Sequence, residues 1–155
     1  MTPISYAAIG VIARRGRHDI EFLTIDVEYF FWDGGRQNTK QRLTKFPGGM
    51  NELSDQGNPQ RTLQEELFEE TGLIIKPGAK IRDLMTRQYN GNWKFFYLVW
   101  RSACRGHVRT KVDCDKRSIL YVPEWLTYAE LEKKLCPSQR NVLPQLRNLA
   151  EIMRP

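Results

Sequence analysis

The chain has 155 residues, 41% hydrophobic and 27% charged, with a formal net charge of +6, which fits one domain over residues 1–155 with a core of its own. No apolar run approaches the roughly 20 residues that span a bilayer, and Met1 to Tyr6 lack the basic segment and cleavage site of a signal peptide. The three cysteines, Cys104, Cys114 and Cys136, show no CxxC spacing, so neither a disulfide framework nor a zinc site is expected, and a reducing, cytoplasmic location follows.

In chain order, residues 4–14 read as a buried strand, and Glu21 to Tyr29, β-branched and aromatic, as its hairpin partner across Arg15–Asp19. The polar stretch from Trp32 to Lys40 reads as a loop, and Leu43 to Phe46 as a short strand ending at the turn Pro47-Gly48-Gly49. Asn58-Pro59 supplies an N-cap and a proline at the first helical position, and Gly72 a left-handed stop, predicting a helix to Thr71. Leu63 and Leu67 should anchor it, and Gly10 should permit close packing in the first strand. Ile81 to Tyr89 and Trp93 to Arg101 flank the hairpin signal Asn90-Gly91-Asn92. Ile119 to Val122 follows as a strand. Thr127 to Leu135 follows as a helix with a capping box at Thr127 and Glu130. A last amphipathic helix spans about Ser138 to Met153, its start delayed to about Asn141 by Pro144. The order is that of a single α+β domain.

Within the central helix Glu66 lies three residues before Glu69 and four before Glu70, so all three fall on one stripe. Like charges at that spacing repel by a few tenths of a kcal/mol per pair, and a bound divalent cation reverses the cost. Hard cations such as Mg2+ take oxygen ligands and leave coordination positions for substrate phosphates. The basic residues, among them Arg14, Arg15, Arg42, Lys45, Arg105 and Arg109, are scattered along the chain. No basic helix or interleaved aromatic motif points to a nucleic-acid partner. A basic shell around an acidic centre would suit a pyrophosphate compound held through a metal, although +6 serves solubility equally well.

Gly48-Gly49, a loop, then Glu66-Leu67-Phe68-Glu69-Glu70-Thr71-Gly72-Leu73 resembles the Nudix box, G-x5-E-x7-R-E-U-x-E-E-x-G-U with U aliphatic. The second half is matched in full. Asp55 stands for the pattern's first glutamate, Glu65 for its arginine, and the intervening loop carries two extra residues. Loop length costs little, but Glu65 replaces an attraction to Glu69 by a repulsion, which Arg61, one turn earlier, would partly neutralise.

The resemblance implies a Nudix-type α/β/α sandwich with a mixed sheet and a central metal-binding helix. It implies a Mg2+- or Mn2+-dependent hydrolase that opens the pyrophosphate of a nucleoside diphosphate linked to another moiety, by water attack at phosphorus. The alternative is a Nudix-like domain that binds nucleotide without turnover. By motif position Glu66 and Glu70 are the principal metal ligands, with Glu69 acting directly or through water and the Gly48 carbonyl adding an oxygen. The general base is either a helix glutamate (Glu66 or Glu69) or a downstream loop acid, Asp115 first, with Asp113 and Glu124 as alternatives. Trp32 and Arg87 are the candidate substrate contacts. The expected partner is a small nucleotide, without membrane attachment, and a homodimer is a reasonable general expectation.

Overall fold

A computed structural model of the chain describes residues 5–152 apart from Asn90. Ile4, Asn90 and Met153, expected in the first strand, the hairpin turn and the last helix, lie outside the described residues.

The axis of the sheet is β1 (Tyr6–Arg15), buried from Tyr6 to Ala13. Its side chains alternate between two faces: Ala8 and Ile12 join one core cluster, Ile9, Val11 and Ala13 the other. A β-carbon on Gly10 would lie 2.8 Å from Leu63 Cδ1, so glycine lets the central helix pack close.

The long β2 (Ile20–Asp33) pairs antiparallel with β1 and, at its far end, with β3 (Arg36–Thr39). The segment expected as a loop is therefore a hairpin arm. Gly34 and Gly35 turn it with φ of 56° and 81°, the left-handed pair of a type I′ turn. Its strand residues Arg36 to Thr39 are exposed, so no apolar alternation marked them. Next come β4 (Leu43–Lys45), on β2, and β5 (Gly48–Met50), antiparallel to β1. The Pro-Gly-Gly turn is thus the entry to a strand.

The central helix α1 (Pro59–Thr71) matches expectation: the Asn58 side chain accepts from the backbone of Gln60 and Arg61, and Gly72 closes it in the left-handed region. Leu63 and Leu67 are fully buried, each contributing about 1.5–3 kcal/mol. Then follow β6 (Ile74–Ile75), β7 (Arg82–Tyr89), β8 (Asn92–Trp100), β9 (Cys104–Arg105), β10 (Asp113–Cys114) and β11 (Ser118–Leu120). β8 runs parallel to β1 and antiparallel to β7. β12 (Glu124–Thr127), a strand not foreseen, extends the sheet along β2.

The predicted capping box at Thr127 and Glu130 starts α2 (Tyr128–Lys134). Residues 137–142 form a 3-10 turn before α3 (Leu143–Ile152), with Pro144 in its first turn. Leu131, Leu135, Val142, Leu143 and Leu146 cover the face of β1 opposite α1. The mixed sheet lies between α1 on one side and α2 with α3 on the other.

Candidate active site

One edge of β1 is shared, with β5 on its first half and β2 on its second, while β4 pairs β2. The segment 43–50 crosses from one partner to the other, and α1 lies against its end. That crossing faces Lys45 and Gly48 toward Glu70.

Glu70 is held from two sides. The Gly48 N–H donates to its Oε1 at 2.7 Å, and the Lys45 ammonium stands 3.3 Å from its Oε2. Lys45 also donates to the Gly48 carbonyl at 2.9 Å. Burial pulls the Lys45 pKa down, yet Glu70, Tyr29 and Glu66 hold it above the ordinary value. A β-carbon on Gly48 would lie 2.4 Å from the Ala8 carbonyl oxygen, and one on Gly49 would lie 2.6 Å from Glu66 Cδ. Gly48 is required by space, since backbone fills the position, whereas a side chain at Gly49 would only displace the Glu66 carboxyl. Burial, then the charges of Glu70 and Glu69, push Glu66 up to about 7. Burial and Glu52 also raise Glu69.

Behind the stripe, Asp55 is 1% exposed. Its Oδ2 accepts from the Glu52 N–H at 2.8 Å and the Thr62 hydroxyl at 2.7 Å. Against its burial, those bonds, a hydrogen bond to Glu65 and the Arg61 charge hold Asp55 below the usual carboxylate range. The same bond to Asp55 raises Glu65, with burial adding and Arg61 opposing. Arg61 and Glu65 stand 3.5 Å apart. The two acids act on each other, and Asp55 Oδ1 is buried without a hydrogen-bond partner.

The C-terminal end of α1 is clamped by Arg109. Its guanidinium donates to the carbonyls of Glu70 at 3.0 Å and Tyr121 at 3.0 Å, and also to those of Lys111 and Leu120. Its backbone N–H reaches the Thr71 carbonyl at 2.8 Å. Carbonyls left free at a helix end are satisfied from elsewhere in the chain.

Glu66, Glu69, Glu70, Gly48 and Asp115 all line one cleft of about 770 Å³. Asp113 lines it too, but Glu124, Trp32 and Arg87 do not. Trp32 is 72% exposed on the arm, three residues beyond Tyr29 and so on the other face of β2. Arg87 is exposed on β7 beside Lys94. Asp115 Oδ1 accepts from the N–H groups of Arg117 and Ser118, both at 2.7 Å, which ties that oxygen into its own turn.

The Nudix domain family model matches residues 6–146. The chain belongs to the Nudix family. No curated protein matches it in sequence. Among solved structures it is similar to a MutT from work on Aliivibrio salmonicida and Vibrio cholerae, at 18% identity and TM-score 0.62, covering 92% of this chain and 99% of that one. It is similar to the Nudix domain of Shewanella oneidensis NrtR, solved with ADP ribose, at 15% identity and TM-score 0.64, over 96% and 89%. A Nudix hydrolase from Listeria monocytogenes matches at 15% and TM-score 0.61, over 94% and 92%. At these identities the likeness carries the fold, the Nudix sandwich.

Nudix hydrolases generally use divalent metals. Among the described residues no three His, Cys, Asp or Glu side chains are gathered into a ready metal site. The donor set nevertheless fits a hard cation, because Glu70 and the Gly48 carbonyl already hold the Lys45 ammonium between them. Glu66, Glu69, Glu70 and the Gly48 carbonyl would hold the metal.

Sequence reasoning missed Tyr29, Lys45 and Glu52, which also line the cleft, and the clamp Arg109. Lys45, two residues before the Pro-Gly-Gly run, carried the one usable signal, a cation beside an acidic motif. No described helix is long and apolar enough to cross a membrane.

Proposed function

We propose that this Nudix protein hydrolyses the pyrophosphate linkage of a nucleoside diphosphate joined to another moiety. The observation that carries this reading is the stripe Glu66, Glu69 and Glu70 facing Gly48 and Gly49 across a cleft that Lys45, Lys116 and Arg117 also line. A bound Mg2+ or Mn2+ would screen the phosphate charge and lower the pKa of coordinated water. Lys45 and the cations of the β10–β11 turn draw the phosphates in. Glu66, pushed up to about 7 in the metal-free protein, and Asp115 are the two candidate proton acceptors. Tyr29 offers a ring at the cleft wall for the nucleoside.

Binding without turnover is the second reading. The Asp55–Glu65 pair, standing where the family pattern has glutamate and arginine, favours it. Both are separated by incubating the protein with Mg2+ or Mn2+ and ADP-ribose, NADH, dinucleoside polyphosphates, nucleoside triphosphates, nucleotide sugars and capped RNA, with phosphate-coupled detection. Turnover of one compound that Glu70→Gln reduces at least about hundredfold supports the enzyme. Saturable binding with no product across the panel supports the second reading.

A further inference from the structure

At the opposite end of the sheet from the α1 stripe, β1 and β8 finish side by side, Ala13 against Trp100. Both strands run parallel there, and the carboxyl ends of parallel strands are where open sheets form ligand crevices. The chain leaves those ends through cations. A pocket of about 660 Å³ opens among Arg14, Arg15, Lys76, Arg101, Trp100 and Cys104. It shares no lining residue with the acidic cleft, and no carboxylate lines it.

Two of its cations, Lys76 and Arg101, are held by neutral carbonyls. Lys76 donates to the Ser102 carbonyl at 3.0 Å, and Arg101 to the carbonyls of Cys104 at 3.0 Å and Gly106 at 2.8 Å. Those acceptors are neutral, so they fix the side chains without neutralising them. Arg14 pairs with Glu21 at 2.9 Å and lies 4.2 Å over the Trp125 ring. Burial pushes the Cys104 thiol up, with the Arg101 and Lys76 charges opposing. Pinning the loop over residues 101–106 explains the carbonyl contacts of Lys76 and Arg101. It does not explain why Arg14 and Arg15 stand at the same mouth, where four like charges oppose one another.

We propose that this pocket is an anion site for a phosphate-bearing ligand, separate from the acidic cleft. Guanidinium groups match phosphate oxygens in a fork geometry, and held guanidinium groups lose less freedom on binding. The partly buried Trp100 indole supplies an apolar wall beside the charges. The phosphate could belong to a small molecule or to a single-stranded nucleic acid.

The test is binding in EDTA, where no metal bridges phosphate to the glutamate stripe. Inorganic pyrophosphate is titrated by calorimetry and tryptophan fluorescence against wild type, Arg15→Glu, Lys76→Glu and Glu66→Gln. Arg15 and Lys76 are exposed, and thermal melts verify that each variant is folded. The expected result is saturable binding weakened at least about tenfold by either charge reversal and unchanged by Glu66→Gln. A ten-nucleotide thymidine oligomer distinguishes the sources: tighter, steeply salt-dependent binding that Arg15→Glu abolishes indicates nucleic acid. Affinity no better than that for pyrophosphate indicates a small ligand. Absence of pyrophosphate binding to wild type, or wild-type affinity in both charge-reversed variants, overturns the proposal. Because no metal and no turnover enter the measurement, its outcome is independent of the proposed hydrolase activity.

Discussion

The Lys45 ammonium stands 3.3 Å from Glu70 Oε2, both side chains nearly out of water at 13% and 10% exposure. Removing one partner of a buried pair leaves the other charge uncompensated and costs about 3–5 kcal/mol. Lys45→Met should therefore lower stability by an amount in that range in EDTA-treated protein. Adding Glu70→Gln should recover part of the loss. Urea melts of the two single variants and the double variant check it, and additive losses would show that the two side chains do not act as a pair.

Glu66 predicts how stability depends on pH. The unfolded chain ionises this carboxyl near its ordinary 4.5, while the folded protein holds the proton up to about 7. Below 4.5 the group is neutral in both states and costs nothing. As pH rises from there to about 7 the folded state loses stability relative to the unfolded, and the full penalty stands above 7. Glu66→Gln lacks this penalty. Its melting temperature should approach wild type at low pH, exceed it increasingly toward neutrality and stay higher above it. Mg2+ at pH 8 should close the gap by stabilising wild type. Parallel melting curves across pH would contradict the assignment.

Glu65→Arg restores the family's residue beside Asp55. A guanidinium pairing with a carboxylate that is 1% exposed should stabilise the fold by about 1–3 kcal/mol, less a few tenths for repulsion from Arg61 one turn away. Chemical denaturation at pH 7 measures it, and a destabilised variant would mean that the two acids already satisfy each other.

Gly49→Ala places a carbon 2.6 Å from Glu66 Cδ. The carboxyl end of a glutamate can swing away at small cost, so the fold should survive with a shift below about 1 kcal/mol. Metal affinity should fall about tenfold or more, because ligand groups placed wrongly by a fraction of an ångström bind poorly. Calorimetric Mn2+ titration beside a thermal melt separates the two effects.

Arg109→Lys should lower stability by about 2 kcal/mol or more, because an ammonium cannot reproduce the guanidinium fork that reaches several carbonyls at once. Protection of the last turn of α1 against hydrogen exchange should fall with it, and unchanged exchange there would remove Arg109 from the helix end.

Much of the site was legible before any coordinates. The Asn58 cap, the proline after it and Gly72 bound α1 at both ends, and four-residue spacing placed Glu66 and Glu70 on one face. The hairpin arm at residues 30–39 was not legible, because its strands are exposed and carry no inside–outside pattern. Trp32, picked for its loop, points away from the cleft for the same reason: once residues 30–33 are strand, alternation assigns sides.

What the sequence determined by itself is therefore what local physics determines: caps, helical spacing, the glutamate stripe and the family they announce. The tertiary structure decided which groups meet that stripe. Gly48 reaches Glu70 across 22 positions and Arg109 across 39, and Arg14, Arg15, Lys76 and Arg101, scattered along the chain, converge at one strand end. Such contacts follow from the pairing of β5 with β1, the parallel run of β8 and the packing of Leu63 and Leu67 into the sheet. Burial over those distances also raises Glu66 toward neutrality, which no spacing of residues encodes.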